Sequence, residues 1–484
     1  MIIVSITGPR MSDALSQVAA SNKYADALEF RLDLIRSPEL AVLLLSTRKP
    51  VIATCRPVGQ GGGFSGAERD RMELLSAASL LGAEYVDLEF GVSRAFITQF
   101  LKRRRETQVI LSHHLRPGDP IAPERTYRRM RRAGADIVKF AFPATDAWQN
   151  RFAFDFLASA KRDNARAVAI AMGEAGEPSR ILYRVAGGWA TYAGTEDGKT
   201  AAPGQIPARL LKELYRSDRL NSGTKVFGVI GNPVGHSKGV YIYNRMFAVA
   251  GSNAVYCRFN VTDLSRFMKL IAPMARGFSV TLPHKQGVMK FASSLDPVAR
   301  AIGAANTLCR RGRTWWGTNT DAPAALDAIE HTIRVEGKRV LILGAGGAAR
   351  AIAYEAKRRG ASVTIANRKP ARARALAREF ELTTAPWHRL HSLPWDVLVN
   401  ATPVGMTPGA GRLPIARRSM QGKVVFDAVY TPPVTTLLRD AARGGAKVVS
   451  GTEMYINQGS RQFRLFTGQD PDVRLMRRIL ADHQ

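Results

Sequence analysis

Cysteine is scarce in this chain, with three residues in a total of 484. Cys55, Cys257 and Cys309 lie far apart and lack the paired spacing of a metal-binding motif. Their small number excludes a disulfide-stapled secreted domain and is typical of the reducing cytoplasm. We therefore expect a cytoplasmic protein with no metal site.

Long apolar runs are also missing from the sequence. No stretch approaches the roughly 20 apolar residues that span a bilayer, so we expect no membrane partner. The first residues, MIIVSIT, lack the basic segment and the cleavage site of a secretory leader. They predict a first β-strand instead.

Acidic residues are few relative to basic ones. The chain has 70 Lys and Arg against 40 Asp and Glu, which gives a formal net charge of +30. Such an excess can indicate a nucleic-acid-binding protein, but the basic residues are spread and no nucleic-acid-binding motif accompanies them. Small anionic substrates explain the excess better, so we expect no nucleic-acid partner. A chain of this length predicts roughly two to four domains.

The clearest motif is the segment 340–350, VLILGAGGAAR. An apolar run is followed by a glycine-rich turn and an Ala-rich helical segment, and a second apolar run covers 363–366. This strand–turn–helix pattern is the dinucleotide fingerprint, in which backbone N–H groups at a helix N-terminus bind a pyrophosphate. The predicted contacts are Gly344, Ala345, Gly346, Gly347 and Ala348.

The end of the second predicted strand favours NADP over NAD. An NAD site usually has Asp or Glu about 20 residues after the fingerprint, where it bonds the ribose 2′-hydroxyl. This chain has Asn367, Arg368 and Lys369 there, with Arg372 one helical turn further on. Guanidinium groups bind a 2′-phosphate by charge-assisted hydrogen bonds, whereas a carboxylate would repel it. A solvated basic loop is the alternative interpretation.

Eight short apolar runs alternate with helix-compatible segments in the first part of the chain. They cover 2–6, 27–31, 51–55, 85–90, 109–112, 137–141, 168–172 and 189–192. This alternation predicts a (β/α)8 TIM barrel, whose chemistry takes place at the C-terminal ends of the strands. Charged and polar residues collect at those ends: Glu29, Arg31, Arg56, Asp87, Glu89, His114, Lys139, Arg180 and Gln205.

Two of these residues favour a Schiff-base mechanism. Lys139 lies in an apolar strand, where burial disfavours the ammonium form, and a neutral amine can attack a ketone. His114 ends the preceding strand, so its imidazole can carry a proton beside that amine. A salt-bridged lysine and a core histidine are the alternatives.

Six segments surround the residues of the predicted barrel site. They are 28–33 (LEFRLD), 53–56 (ATCR), 85–89 (YVDLE), 111–114 (LSHH), 136–139 (DIVK) and 202–205 (APGQ). Together they resemble type I 3-dehydroquinate dehydratase. The resemblance implies that Lys139 forms an imine with the substrate ketone, and that His114 removes the α-proton and helps to expel the β-hydroxyl as water. The implied substrate contacts are Glu29, Arg31, Arg56, Arg180 and Gln205.

Three positions depart from that family. Gln60 replaces a glutamate that helps to orient the histidine, Leu115 replaces a common aspartate, and Ala201 replaces a loop serine. The change at Gln60 keeps a hydrogen-bond acceptor but loses the charge that stabilises an imidazolium, so we expect activity slower than usual.

After a polar linker at 218–225, a second set of segments begins. They are 226–230 (VFGVI), 231–238 (GNPVGHSK), 277–285 (GFSVTLPHK), 303–307 (GAANT), 317–321 (GTNTD), 400–406 (NATPVGM) and 427–430 (DAVY). With the dinucleotide fingerprint, they resemble shikimate dehydrogenase over residues 224–484. The resemblance implies that Lys285 and Asp321 flank the reacting carbonyl, where they supply a charged proton donor. The implied substrate contacts are Ser237, Thr281, Asn306, Asn319, Tyr430 and Gln458.

This half also departs from its family. Gly239 replaces a serine whose hydroxyl meets the substrate carboxylate, Ser279 replaces an asparagine, and Ala322 replaces a glycine. Carboxylate binding is then expected to depend on Ser237, Thr281 and Tyr430.

We therefore predict an α/β protein of three domains. A TIM barrel covers 1–219, a substrate-binding α/β domain covers 224–333 and is completed by C-terminal helices at 453–484, and a Rossmann NADP-binding domain covers 334–452. The two resemblances together imply a bifunctional enzyme, monomeric or homodimeric. It would dehydrate 3-dehydroquinate to 3-dehydroshikimate and then reduce this ketone to shikimate with NADPH.

Two alternatives stay open. The first is an NAD-dependent enzyme of quinate and shikimate catabolism, against which the basic residues at 367–372 argue. The second is a regulatory protein that keeps both folds and senses the metabolites. The joint presence of Lys139, His114, Lys285 and Asp321 argues against this second alternative.

Overall fold

The computed structural model describes residues 1–104, 106–198, 200–407, 409–415, 420 and 422–483. The chain divides into two compact units, Met1–Val240 with Phe247–Ala275, and Tyr241–Met246 with Arg276–Gln484. Within the described ranges, no helix combines the length and the apolar character needed to cross a membrane.

The first unit begins with alternating strands and helices. The strands are β1 (Ile2–Ile6), β2 (Ala27–Arg31), β3 (Val51–Thr54), β4 (Tyr85–Glu89), β5 (Gln108–His114), β6 (Ile137–Pro143), β7 (Arg166–Met172) and β8 (Thr191–Ala193). The helices are α1 (Met11–Ser21), α2 (Leu40–Leu45), α3 (Glu68–Leu80), α4 (Arg94–Arg103), α5 (Pro123–Arg131), α6 (Asn150–Arg162) and α7 (Glu177–Ile181). The sheet order is β7-β6-β5-β4-β3-β2-β1-β8, and its ladders are parallel. The predicted barrel architecture is confirmed.

The side chains inside the barrel change from apolar to polar along the strands. A first layer is apolar and consists of Ile3, Ala27, Ile52, Ile110 and Ile137. Two residues further along each strand the side chains point to the same side. There the buried residues are Ser5, Glu29, Thr54, Ser112 and Lys139. Because burying a charge costs several kcal/mol per ion, this second layer indicates function rather than stability.

Beyond the barrel the chain continues with β9 (Lys225–Gly231), α8 (Gly239–Val249), β10 (Ala254–Asn260) and α9 (Leu264–Leu270). These elements belong to the first unit, apart from Tyr241–Met246 of α8. Strands β9 and β10 pair in parallel. The Asp146 carboxylate of the barrel accepts hydrogen bonds from the backbone N–H groups of Thr262 at 2.9 Å and Asp263 at 2.7 Å. The start of α9 is thereby anchored to the loop after β6.

The second unit begins with β11 (Ala275–Val280), β12 (Ser294–Leu295), α10 (Pro297–Ile302), β13 (Thr307–Arg311), β14 (Thr314–Thr318) and α11 (Asp321–Glu330). Strand β13 lies antiparallel to both β11 and β14, and β12 pairs in parallel with β14.

A second parallel sheet follows in the same unit. Its elements are β15 (Arg339–Leu343), α12 (Gly347–Arg358), β16 (Ser362–Ala366), α13 (Pro370–Phe380), β17 (Thr383–Thr384), β18 (Val397–Asn400), β19 (Val424–Asp427), α14 (Thr436–Arg443) and β20 (Lys447–Ser450). The strand order is β17-β16-β15-β18-β19-β20. The order reverses between β15 and β18, and ligands of such open sheets bind at this point.

Two helices end the chain, α15 (Gly451–Thr467) and α16 (Val473–Asp482). Helix α15 packs against α11, where the Asn457 side chain donates to the Ala324 carbonyl at 3.3 Å and Arg461 pairs with Asp327 at 2.5 Å. The helical character expected of the C-terminal segment is confirmed.

Candidate active sites

A cavity opens at the C-terminal ends of the barrel strands. Every residue predicted as catalytic or substrate-binding in the barrel lines it: Glu29, Arg31, Arg56, His114, Lys139, Arg180 and Gln205. They come from six different parts of the barrel, which parallel strands bring to one end of the sheet. The barrel therefore places one lysine, one histidine and three arginines around a single space.

Lys139 is buried but surrounded by charge. Its Nζ donates to Asp87 Oδ2 at 3.0 Å and lies 3.5 Å from Glu29 Oε1. The ammonium also sits 3.8 Å from the centre of the Tyr192 ring. The apolar strand predicted for Lys139 is confirmed, and the salt-bridged arrangement left open as the alternative is also present, because two carboxylates approach the amine.

Asp87 is the better placed of these acceptors. Burial acts to raise the pKa of Asp87, but Lys139 and Arg56 outweigh it and hold this pKa below the usual value. Ser112 Oγ also donates to the carboxylate, at 2.5 Å. Asp87 is thus a fully buried, ionised side chain that contacts Lys139.

His114 contacts Arg56 rather than a carboxylate. Arg56 Nη1 lies 2.8 Å from His114 Nδ1. Because a guanidinium can only donate, Nδ1 accepts and the neutral ring carries its proton on Nε2. Burial lowers the pKa of His114 well below its usual value, and the charges of Arg56 and Lys139 lower it further. The imidazole is therefore neutral at physiological pH.

Gln60 ends a 3-10 turn, Val58–Gln60, that follows β3. Its Oε1 is buried and has no hydrogen-bond partner within the described residues. The position that a glutamate holds in the related family is thus occupied here by an amide oxygen that no described group contacts.

Arg180 is a buried guanidinium with carbonyl partners. It donates to the carbonyl oxygens of Tyr192 at 3.0 Å and Pro203 at 3.3 Å, while its Nε has no partner among the described residues. Burial lowers the pKa of Arg180 to about 10. A buried cation that faces a cavity is suited to the anionic group of a ligand. Gln205 borders the same space, and its Oε1 accepts from the Ala201 N–H at 2.8 Å.

The second candidate site is centred on Lys285 and Asp321. Lys285 Nζ lies 2.6 Å from Asp321 Oδ2, and Asn306 Nδ2 donates to Asp321 Oδ1 at 2.8 Å. Asp321 is the first residue of α11, where the helix dipole favours a negative charge. An ammonium held by an ionised carboxylate is a positioned proton donor.

The other residues predicted for this site lie on several different elements of the chain. Asn306 Nδ2 reaches Gln458 Oε1 at 3.5 Å, and Asn319 Oδ1 accepts from the Asp321 N–H at 3.0 Å. Thr281 directly follows the last residue of β11. The Tyr430 side chain is buried, and this burial raises its pKa. Ser237 belongs to the first unit, in the turn after β9.

The dinucleotide turn lies against this pair. Gly344 has φ +118°, and an added Cβ would lie 2.8 Å from the Ala401 carbonyl oxygen, so only glycine fits. An added Cβ at Gly346 would meet nothing within 4 Å, which leaves open space above the turn. At Gly347 it would lie 3.5 Å from Lys285 Cδ. The predicted catalytic lysine therefore adjoins the predicted cofactor turn.

The predicted 2′-phosphate corner follows β16. Asn367 Nδ2 donates to the Lys369 carbonyl at 3.0 Å and shapes the turn into α13. Arg368, Lys369 and Arg372 are exposed, and within the described ranges none forms an ion pair with a carboxylate. Exposed cations at this position fit an anionic group on the ribose.

Models of four families match successive parts of the chain. Type I 3-dehydroquinase matches residues 2–222, and the shikimate dehydrogenase substrate binding domain matches 229–308. Shikimate / quinate 5-dehydrogenase matches 327–422, and the shikimate 5'-dehydrogenase C-terminal domain matches 451–480. A chloroplastic bifunctional 3-dehydroquinate dehydratase/shikimate dehydrogenase of Arabidopsis thaliana is 35% identical over 512 residues, which cover 99% of this chain and 84% of the relative.

The chain belongs to the bifunctional 3-dehydroquinate dehydratase/shikimate dehydrogenase family.

The second half of this bifunctional chain is also similar to single enzymes. A shikimate dehydrogenase (NADP(+)) of Pyrococcus abyssi is 40% identical, over 53% of this chain and 97% of the relative. A solved shikimate dehydrogenase from Thermus thermophilus, in complex with NADP(H) and shikimate, is 34% identical with a TM-score of 0.50, over 54% of this chain and 100% of that one. A quinate dehydrogenase from Corynebacterium glutamicum in complex with NAD is 27% identical with a TM-score of 0.51, over 54% of this chain and 99% of that one. This fold therefore accommodates both cofactors, and the residues at 367–372 must decide between them.

Sequence reasoning missed two residues of the dehydratase site. Asp87 was placed at a strand end without a role, although it accepts the hydrogen bond of Lys139. Tyr192 was treated as part of a strand, although its ring faces the ammonium. A buried acid on a strand close to a lysine-bearing strand is the signal that could have assigned Asp87.

Proposed function

We propose that this chain catalyses two consecutive steps of shikimate synthesis. The barrel dehydrates 3-dehydroquinate to 3-dehydroshikimate, and the dehydrogenase half, residues 224–484, reduces this product to shikimate with NADPH. The observation that carries the proposal is the presence of two separate reactive pairs in one chain, Lys139 with His114 and Lys285 with Asp321. The proposed domains are 1–219, 224–333 with 453–484, and 334–452.

In the dehydration, Lys139 condenses with the substrate ketone to a protonated imine, and the ketone oxygen leaves as water with two protons of the ammonium. The ionised Asp87, 3.0 Å from Nζ, is proposed to stabilise the positive charge on that nitrogen. The protonated imine withdraws electrons from the adjacent carbon, so the α-proton becomes acidic, and hydrolysis of the imine after dehydration releases the product and Lys139. The proposed contacts to the carboxylate and hydroxyl groups of the substrate are Glu29, Arg31, Arg56, Arg180 and Gln205.

His114 then carries the proton from carbon to the leaving hydroxyl. Its Nδ1 lone pair is engaged by Arg56 in this structure. Substrate binding can release it, because the same guanidinium is a proposed substrate contact. The imidazole takes the α-proton at the freed nitrogen, and the imidazolium donates a proton to the β-hydroxyl, which leaves as water.

In the reduction, Lys285 donates a proton to the carbonyl oxygen as negative charge develops on it. Asp321 accepts a hydrogen bond from Lys285 Nζ at 2.6 Å and fixes its position. NADPH bound on the turn at 344–348 supplies the hydride. The open space at Gly346 and the exposed cations at 368–372 fit this cofactor. The proposed substrate contacts are Ser237, Thr281, Asn306, Asn319, Tyr430 and Gln458.

The proposal includes a cytoplasmic location and a monomeric or homodimeric state. The partners are the small molecules of the two reactions. Against an NAD-dependent catabolic enzyme, the corner after β16 carries three cations and no acid. Against a metabolite sensor, the chain retains both reactive pairs: Lys139 and His114 line one cavity, and Lys285 Nζ lies 2.6 Å from Asp321.

Two separate assays of the purified chain test this function. Dehydration of 3-dehydroquinate should proceed without any cofactor, and NADPH should be oxidised on addition of 3-dehydroshikimate. Binding of both metabolites without turnover would support the sensor instead. Faster oxidation of quinate with NAD than of shikimate with NADP would support the catabolic enzyme.

Gln60→Glu is expected to leave dehydration equal to or faster than in the parent. A carboxylate at this position restores the charge that stabilises an imidazolium, and it should raise the pKa of His114. The acid limb of kcat/KM for dehydration should then move to higher pH. The check is the pH profile of both proteins. A clear loss of rate at the optimum would show that Gln60 has a role of its own.

Arg368→Ala and Arg372→Ala are each expected to weaken the binding of NADPH by about ten- to a hundredfold. A charge-assisted hydrogen bond contributes roughly 1.5–3 kcal/mol, and about 1.4 kcal/mol corresponds to tenfold in affinity. NADH lacks the phosphate, so its kcat/KM should barely change. The measurement is kcat/KM for both cofactors in the parent and in each variant.

Arg374→Ala is the matched control, because Arg374 is another exposed arginine of α13. Arg374→Ala should leave kcat/KM unchanged for both NADPH and NADH. The NADP assignment is wrong if the parent has a higher kcat/KM with NADH than with NADPH. It is also wrong if the Arg368 and Arg372 variants lower kcat/KM equally for both cofactors.

A further inference from the structure

Gln462 is a buried amide in α15 to which sequence reasoning gives no role. It is 2% exposed. Its Oε1 accepts hydrogen bonds from the hydroxyls of Tyr243 at 2.7 Å and Ser279 at 2.8 Å. Its Nε2 donates to Thr307 Oγ1 at 2.8 Å and to the Asn306 carbonyl at 3.1 Å. All the hydrogen-bonding capacity of the amide is used, so its position is tightly fixed.

Three of these bonds, to Ser279, Thr307 and Asn306, tie α15 to both strands that lead into the reductase site, and the fourth ties it to Tyr243 of α8. Ser279 lies on β11 and faces Thr307 of β13 across an antiparallel ladder. Strand β11 leads to Thr281 and then to Lys285. Asn306 directly precedes β13, and its side chain donates to Asp321 at 2.8 Å. One buried amide therefore links the segments that carry both members of the reactive pair.

Position 279 carries a serine in this chain, where the resemblance to shikimate dehydrogenase implies an asparagine. The hydroxyl of the short Ser279 side chain donates a hydrogen bond to Gln462 Oε1. Gln462 extends from the opposite side, and its amide makes the bonds to Asn306 and Thr307 that a serine cannot make.

We propose that Gln462 is a positioning residue for the reduction. Together with Ser279, it supplies the amide that an asparagine at 279 would bring, and it holds Asn306 and hence Asp321 in register with Lys285. This inference rests on the proposed reductase function. It predicts an effect on the chemical step rather than on the binding of NADPH, because Gln462 has no described contact with the turn at 344–348.

The test compares Gln462→Ala with the parent in three assays on the same sample. The kcat for reduction of 3-dehydroshikimate should fall by about ten- to a hundredfold. The affinity for NADPH, followed by its fluorescence, should stay within about twofold, which also reports that the second unit is folded. Dehydration by the barrel should be unchanged. Gln469→Leu, which removes an exposed amide just beyond α15, is the matched control and should behave as the parent.

Rescue separates positioning from a general loss of packing. Adding Ser279→Asn to Gln462→Ala restores an amide at the site opposite Thr307, so it should recover at least about tenfold of the lost kcat. If Gln462→Ala fails to bind NADPH, the isosteric Gln462→Glu decides. It keeps both acceptor bonds but loses the Nε2 donor to the Asn306 carbonyl and to Thr307 Oγ1, and it should show the same loss of kcat.

An unchanged kcat in Gln462→Ala, or no recovery in the double variant, would overturn this inference while leaving the reductase function intact. A parent that does not reduce 3-dehydroshikimate would overturn the proposed function, and this inference with it.

Discussion

Lys139→Ala should abolish dehydration, with a loss of roughly a thousandfold or more, which corresponds to about 4 kcal/mol of barrier. The proposed imine needs an amine at this position, and alanine offers none. Reduction of 3-dehydroshikimate with NADPH should stay near the parent rate, because Lys285 and Asp321 belong to the other unit. The measurement is kcat for both half-reactions in the same preparation.

Borohydride tests the covalent step directly. Treatment of the parent with 3-dehydroquinate and borohydride should add the reduced substrate to Lys139, as mass spectrometry of the digested chain would show. Lys161→Ala, an exposed lysine of α6, should be labelled as the parent is. An unchanged mass in the parent, or labelling that survives Lys139→Ala, would contradict the imine mechanism.

Lys285→Ala should reduce kcat for the reduction by roughly a hundred- to ten-thousandfold, the range that a positioned general acid contributes. The reason is that its ammonium, 2.6 Å from Asp321, is the proposed proton donor to the carbonyl oxygen. Asp321→Asn should lose less, because it removes the charge that holds the ammonium but keeps a hydrogen-bonding group. Dehydration should be unaffected in both variants.

NADPH affinity is the control for this pair. An added Cβ at Gly347 would meet the apolar Cδ of Lys285 at 3.5 Å, so we expect the loss of this side chain not to weaken NADPH binding strongly. A mixture of Lys139→Ala and Lys285→Ala should convert 3-dehydroquinate to shikimate through the free intermediate. A loss below about tenfold in Lys285→Ala would show that another group donates the proton.

The barrel could be predicted from the sequence because each strand is a short apolar run with one buried face. Strands β1 and β2 have the predicted bounds. The eighth strand is Thr191–Ala193 rather than 189–192, because its pairing with β1 decides where it begins. Periodicity locates a buried strand, while its exact ends depend on the partner strand.

The site residues could be placed at strand ends but their contacts could not be predicted. Lys139 was predicted in an apolar strand, at one end of the barrel with other charged residues, but none of them was assigned as its partner. The structure surrounds it with Asp87 and Glu29, which come from strands two and four places away in the sheet. Such contacts depend on how the barrel brings distant strands together, and local sequence carries no signal of that geometry.

The contacts of His114 could not be predicted from the sequence either. The family pattern directs attention to position 60 as the residue that orients His114. In the structure it is Arg56 that reaches Nδ1. Gln462 is a further case, because its four partners lie 155 to 219 positions away along the chain.

The most direct test of the two-step account is a single reaction with one purified chain, 3-dehydroquinate and NADPH. The account predicts that NADPH is oxidised in equimolar amount to the 3-dehydroquinate consumed, and that shikimate accumulates. It also predicts that Lys139→Ala oxidises NADPH only when 3-dehydroshikimate is added. Accumulation of 3-dehydroshikimate without oxidation of NADPH, or no consumption of 3-dehydroquinate, would contradict it.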